Sequence, residues 1–568
     1  MTEKLETSKV NVMLIDNCLE DWQAINWRDV QDRVRQLRQR IYRASEEGNM
    51  QGVRSLQRLM IRSTANMLWS IHQVTVCNQG KQTPGVDGYI AITDQERLEL
   101  HKRLKTYTPK DVRPVKRVHI PKANSQKLRP LGIPTIVDRC QQTIVKNALE
   151  SYWEAKLDGN SYGFRPGRST HDAIKRIYLT VKGVGKRGWI LDADIEGAFD
   201  NITHQHIIQS IDKFPGKEWI ESWLRSGVIE GGKYIATKQG TPQGGAISPL
   251  LLNITLHGLE EILNVTYNKD GKTSVDNSYT MVIYADDFVV MAETKEECQQ
   301  AMEKISNWLS ERGLRLSKEK TQIRHIEEGI DFLGVNIRRR KRKGKKCGQV
   351  TLITPSKKAK QRFRDELRVR WKEVVSKPFP YAIRKLNQQI IGWVNYYRHY
   401  ASKRTFTDLD RWMWQRQKQY VGRRHPKKSW KWKYGRYWGR VTGRKDKWVF
   451  MDTQTGQFLH KLSWIPIERH TMVKGRNSPD NPNQKEYWKK RQANKKLQRT
   501  KSRIKLWNRQ EGICPICQTG LDNGEELHVH HIQPRKEGGN DMWGNLCILH
   551  AACHKQVHGK QLKPLRAA

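Results

Sequence analysis

The chain has 568 residues, with 104 Lys and Arg against 58 Asp and Glu, and a formal net charge of +46. Such a charge exceeds what solubility needs and implies a large polyanionic partner, nucleic acid before a membrane surface. No apolar run approaches about 18 residues and residues 1–16 mix acids with bases, which argues against a membrane span or a signal peptide; the expectation is a soluble, intracellular protein.

From residue 20 to 75, charged sequence with apolar residues at helical spacing (Val30, Val34, Leu37, Ile41) predicts helices. A turn-rich loop follows at 83–88. From there to 340, apolar strands alternate with helices, as in an α+β catalytic core. Within it, Trp189-Ile190-Leu191-Asp192-Ala193-Asp194 is a strand ending in carboxylates. The stretch from Met281 to Met291, with Tyr284-Ala285-Asp286-Asp287 at its middle, reads as a hairpin presenting two acids at its tip. Adjacent acids repel unless a cation sits between them. Three carboxylates from two strands can hold two Mg²⁺ ions, the arrangement that drives in-line phosphoryl transfer. Asp192 and Asp194 share a strand face, so spacing alone does not choose between them.

Residues 338–346 form a basic run, either a hairpin tip that touches a phosphate backbone or a solvated linker. Helical periodicity returns from 356 to 420: Leu386, Ile390, Ile391, Trp393, Val394 and Tyr397 make an apolar face, with Arg398 and Lys403 outside it. Residues 421–506 are basic, aromatic and interrupted by Pro and Gly, with weak fold signals. Of the 20 Trp, Trp430 and Trp432 alternate with Lys in a way that suits base stacking, whereas Trp393 and Trp412 read as anchors of helical cores. A turn cluster at 477–482 precedes a basic, helical stretch at 485–505.

Of the 9 Cys, five (Cys18, Cys77, Cys140, Cys298, Cys347) are scattered and read as ordinary buried thiols. The other four lie among His residues near the C-terminus, which indicates metal binding and not disulfides. Cys514-x-x-Cys517 and His550-x-x-Cys553 make a closed Cys₃His zinc site. Cys547 is a lower-ranked rival for His550.

Further blocks stand in order around the acids: Pro121-Lys122, Lys127 to Pro134, Tyr162 to Ser169, Asp194 to Ile202, Gln239 to Leu250, Gly313 to Thr321, and Phe332-Leu333-Gly334. Over about 85–340 they resemble the reverse transcriptases encoded by group II introns. Residues 386–398 resemble the maturase region of that family, and 478–491 more loosely its basic DNA-binding connector. His528-Val529-His530-His531, Gly538-Gly539-Asn540, Asn545, His554 and His558 resemble the HNH nuclease motif on a ββα-metal fold. A zinc finger that only binds DNA would explain the zinc ligands but not these His and Asn residues.

The resemblance implies a right-hand polymerase of α+β class: an N-terminal extension and fingers at 1–185, a palm at 186–350, a helical thumb or maturase domain at 351–470, a DNA-binding connector at 471–507 and an HNH domain at 508–568. It implies two Mg²⁺ held by Asp194, Asp286 and Asp287 with the carbonyl of Ile195, and it selects Asp194 over Asp192. Lys122 and Arg129 would grip the triphosphate of an incoming dNTP, Gln243 would hydrogen-bond the nucleotide, and Phe199 would exclude a 2′-hydroxyl. Lys320 is a weaker candidate for protonating the leaving group. In the nuclease, His530, His554 and His558 would bind a divalent metal, His531 would act as general base and Asn545 would orient it. Glu196 and Leu252 stand where the family often has Lys and Ala. The implied function is an RNA-directed DNA polymerase that also binds its intron RNA to assist splicing and nicks a DNA target. The partners are intron RNA, target DNA and dNTPs, with no membrane, and a dimer is left open. The alternative is a free-standing cellular reverse transcriptase.

Overall fold

The computed structural model describes residues 20–121, 128–182, 187–268, 273–274, 276–341, 348–495, 506–521, 527–534, 537–540, 542–551, 553–554 and 557. Lys122, His558, Cys18, Cys347, residues 342–346 of the basic run and residues 496–505 lie outside that set. Among the described residues no helix is long and apolar enough to cross a membrane.

Three helices, Trp27–Glu46, Met50–Arg62 and Thr64–His72, open the fold, each started by a side-chain cap from Asn26, Asn49 or Ser63. They pack around the helix Ile136–Lys156, which is buried on nearly every face and so lacks a polar stripe. Strands β1 (Val115–Pro121) and β2 (Leu128–Ile133) form an antiparallel hairpin. Strand β3 (Trp189–Asp194) belongs to a second sheet. Strands β4 (Val228–Glu230) and β5 (Lys233–Ile235) extend the first, in the order β2-β1-β4-β5.

The second sheet positions the chemistry. Its strands β6 (Thr280–Tyr284), β7 (Asp287–Ala292) and β8 (Gln322–His325) join β3 in the antiparallel order β6-β7-β3-β8. Both of its faces are covered. Leu191, Ala193, Phe288 and Val290 join the first core on the face covered by the helix Lys295–Ser310, whereas Ile190, Val289 and Met291 face a second core. Double burial is why these strands read as unbroken apolar runs instead of alternating.

Strands β9 (Ile330–Phe332), β10 (Val335–Lys341) and β11 (Gln349–Pro355) then make a three-stranded sheet, whose β10–β11 pairing takes in Arg338 to Lys341 of the basic run. Helices Lys357–Glu373, Phe379–Tyr397 and Lys403–Arg424 complete the second core, with Trp393 stacked on Phe363 at 4.6 Å. Leu386, Ile390, Val394 and Tyr397 are buried as the periodicity predicts. Arg398 is not outside: it is 5% exposed and ion-paired to Glu468. Residues 421–464 are ordered by short elements, the helix Trp430–Tyr437 and the strands β12 (Trp438–Gly439) and β13 (Val449–Phe450). Trp438, Phe450, Leu459 and Leu462 bury themselves in the second core, while Trp430 and Trp432 stay exposed. A separate small core holds β14 (Leu527–His531) against β15 (Leu546–His550).

Candidate active sites

The register of the second sheet brings the predicted acids together. Asp194 pairs directly with Asp287 across β3 and β7, and the Ile195 amide donates to the Asp286 carbonyl at 3.0 Å. Asp192 pairs instead with Val289, one step away from the cluster. The two-residue loop Ala285-Asp286 closes the β6–β7 hairpin, with Ala285 at φ +57°, a position glycine usually takes. Burial, the neighbouring Asp286 and a hydrogen bond to Asp194 push the Asp287 carboxyl up to about 8. Burial and the Asp194 charge also raise Asp286, with Lys320 and Arg129 opposing. Lys320 Nζ lies 2.7 Å from Asp194 Oδ2; although burial works against it, that contact holds the ammonium above its usual value. Mutually destabilised carboxylates beside one lysine are a donor set suited to hard divalent cations.

The hairpin is braced from behind. Ile283 donates to Asn160 O at 3.0 Å and Tyr162 donates to Ile283 O at 2.9 Å. A Cβ on Gly163 would lie 2.3 Å from the Ala285 nitrogen, so only glycine lets the turn seat there. Asn253 Nδ2 fixes the Gly163 carbonyl at 3.0 Å. Neither Gly163 nor Asn253 stood out as a support in the sequence, although Gly163 falls within one of the ordered blocks.

Of the predicted nucleotide residues, Phe199, Gln243 and Arg129 lie among the described residues, on segments joined by backbone hydrogen bonds. Phe199 follows β3 in the turn Ala198–Asn201. The segment after Gln239 is stitched to it, Thr241 N donating to Phe199 O at 2.6 Å, and to β2, Gly132 N donating to Gln243 O at 2.7 Å. Arg129 sits on β2 with its charge felt at Asp286. Glu196, the departure from the family pattern, is ion-paired to Arg315 at 2.9 Å.

In the C-terminal module, Cys514, Cys517, His550 and Cys553 place one ligand atom each within 4.8 Å of the others. His550 Nε2 faces Gly520 O at 3.1 Å, leaving Nδ1 toward Cys517 Sγ at 3.3 Å. The sulfurs hydrogen-bond to one another, which holds the Cys514 thiol below the usual range and pushes the Cys553 thiol above it. The donors fit a tetrahedral zinc. Cys547 lies outside the group, and burial pushes its thiol up to about 12.

Antiparallel pairing sets His528 and His530 on one face of β14 and His531 on the other. His554 meets that first face, its Nδ1 3.4 Å from His528 Nδ1 and its ring 5.1 Å from that of His530. His528 thus lies in the same cluster as His554. Asn545 accepts from Gln533 N at 2.7 Å and donates to Gln533 O and Asn540 O at 3.0 and 2.8 Å. Its amide ties down the loop at the end of the His531 strand.

Family comparison agrees with this geometry. Residues 120–337 match the reverse transcriptase (RNA-dependent DNA polymerase) family, and 22–104 the N-terminal domain of reverse transcriptase. Residues 360–438 match the group II intron maturase-specific domain and 514–560 the HNH endonuclease family. The chain is 32% identical to Protein YkfC of Escherichia coli (strain K12) over 351 residues, covering 54% of this chain and 88% of YkfC. It is 30% identical to the group II intron-encoded protein LtrA of Lactococcus lactis subsp. cremoris over 443 residues, covering 63% of this chain and 73% of LtrA. The maturase match and the likeness to LtrA disfavour a free-standing cellular enzyme. The chain belongs to the group II intron-encoded proteins, as a multifunctional reverse transcriptase and maturase carrying an HNH endonuclease domain.

Proposed function

We propose that the protein binds its own intron RNA, nicks one strand of a DNA target with the HNH module and extends the new 3′ end by copying that RNA. The observation that carries this reading is the pairing of Asp194 with Asp287, with Asp286 on the intervening turn. Asp194, Asp286, Asp287 and the Ile195 carbonyl would hold two Mg²⁺. Bound there, Mg²⁺ supplies charge stabilisation at the attacking and departing oxygens. Arg129 and Lys122 grip the triphosphate, Gln243 contacts the nucleotide, and Phe199 rejects a 2′-hydroxyl by bulk. Lys320 would protonate the leaving pyrophosphate, a role its contact with Asp194 supports.

In the nuclease, His530, His554 and His558 would hold a divalent cation and His531 would take the proton from water. Asn545 acts by fixing the loop beside His531, as its three backbone hydrogen bonds support. Zinc on Cys514, Cys517, His550 and Cys553 would hold the module together. The proposed domain limits stay at 185, 350, 470 and 507; the start of β3 at Trp189 supports the first, and the second falls inside β11. The proposed compartment is the cytoplasm.

The test is to purify the protein from cells carrying its flanking DNA and to sequence the RNA that accompanies it. One dominant structured RNA, whose DNA encloses this reading frame, is expected. A mixture of unrelated RNAs would refute the intron partnership.

A further inference from the structure

Phe164 holds a position that a bulky side chain normally avoids. Its φ is +59°, in the left-handed region, and its side chain is half exposed beside the polymerase site. The residues on either side of it are both held in place. Gly163 is pressed against the catalytic turn, where a Cβ would strike Ala285 N at 2.3 Å. Arg165 is locked by a buried ion pair, its Nε 2.6 Å from Glu154 Oε1, and by its Nη1 on the Ser161 carbonyl at 3.0 Å. Strain that neighbours over-determine in this way gathers at functional positions.

The ring of Phe164 meets the ring of Phe199 edge to face, with centroids 6.3 Å apart and planes at 73°. Phe199 is anchored on the protein side by its carbonyl, which accepts from Thr241 N. Among the described residues, Phe164 is the aromatic ring in contact with that side chain. We infer that Phe164 is a positioning residue for the nucleotide gate: in left-handed backbone between the anchored Gly163 and Arg165, it props the Phe199 ring at the angle that excludes a ribonucleotide.

The inference rests on the reading of Phe199 as the gate, so the test varies both residues. The measurement is single-nucleotide incorporation on an RNA template, with kcat/KM for a dNTP divided by that for the matching rNTP. Phe199→Ala collapses the ratio. Phe164→Ala lowers it about fivefold, the scale of one aromatic edge contact, and Phe164→Tyr, which keeps the ring, restores it. The double variant is no less selective than Phe199→Ala alone, because Phe164 acts through Phe199. Phe164→Gly separates this role from a structural one: glycine suits φ +59°, so the melting temperature holds or rises while selectivity falls. A ratio unchanged in Phe164→Ala and Phe164→Gly, with Phe199→Ala relaxed, overturns this inference alone. A ratio unchanged in Phe199→Ala removes the gate itself and the inference with it.

Discussion

At the scale of single residues, the polymerase site is a conflict of like charges held in place by the fold. Asp287 carries that conflict most clearly. Its carboxyl is pushed up to about 8 in the folded chain by burial and its acidic neighbours, from an ordinary value of 3.8. The folded protein therefore keeps a proton that the unfolded chain releases. That contribution to stability is complete below about pH 3.8 and is lost as pH rises towards 8. The metal-free chain should lose melting temperature across that window, and added Mg²⁺ should restore it at the upper end. Asp287→Asn should flatten the dependence, stabilise the metal-free protein at pH 8 by about 1 kcal/mol or more, and abolish cDNA synthesis. A variant no more stable than wild type at pH 8 would show that the acids are not in conflict.

Elements explain why those residues meet. The β6–β7 hairpin is seated by Gly163, whose missing side chain makes room for the Ala285 nitrogen. Gly163→Ala should displace the turn and cut the rate of cDNA synthesis about a hundredfold, the cost of misplacing a catalytic group by about 1 Å. RNA binding should persist, and a rate near wild type would contradict the seating. In the C-terminal module, Cys517→Ser should lose bound zinc measured by elemental analysis, whereas Cys547→Ala should keep it. Zinc loss in both would reopen the choice between Cys547 and His550.

The acids were legible in the sequence because a sheet covered on both faces leaves continuous apolar strands, against which carboxylates stand out. The zinc ligands were legible because their spacing is local. Arg398 was misread as an outer residue because its partner, Glu468, is 70 residues away and no periodicity links them. Residues 421–464 gave no fold signal because Trp438, Phe450, Leu459 and Leu462 enter the core singly, from elements too short to show a repeat. The nearness of His528 to His554 was not legible because it depends on strand register and not on sequence spacing.

At the scale of the whole molecule, buried charge ties the connector to the polymerase. Asp480 receives Arg38 through two hydrogen bonds at 2.9 and 2.7 Å, and Arg38 also reaches Glu150 at 2.9 Å. Asp172, fully buried, accepts from Ser169 Oγ at 2.7 Å, Val473 N at 2.8 Å, His470 Nε2 at 2.9 Å and Arg491 Nη2 at 3.0 Å. Removing one member of such a network leaves uncompensated charge, at a cost of about 3–5 kcal/mol. Asp172→Ala should therefore expose residues 465–491 to limited proteolysis well before the palm unfolds. Equal protease resistance in variant and wild type would show that the anchor is dispensable.

The central claim, that one chain nicks DNA and primes reverse transcription with separate sites, is tested most directly by target-primed synthesis. The ribonucleoprotein is given duplex target, dNTPs and Mg²⁺, and nicking and cDNA are read from the same reaction. Asp286→Asn should nick without making cDNA. His531→Ala should make neither on intact duplex, yet extend a strand nicked beforehand. cDNA from Asp286→Asn, or nicking by His531→Ala, would contradict the account.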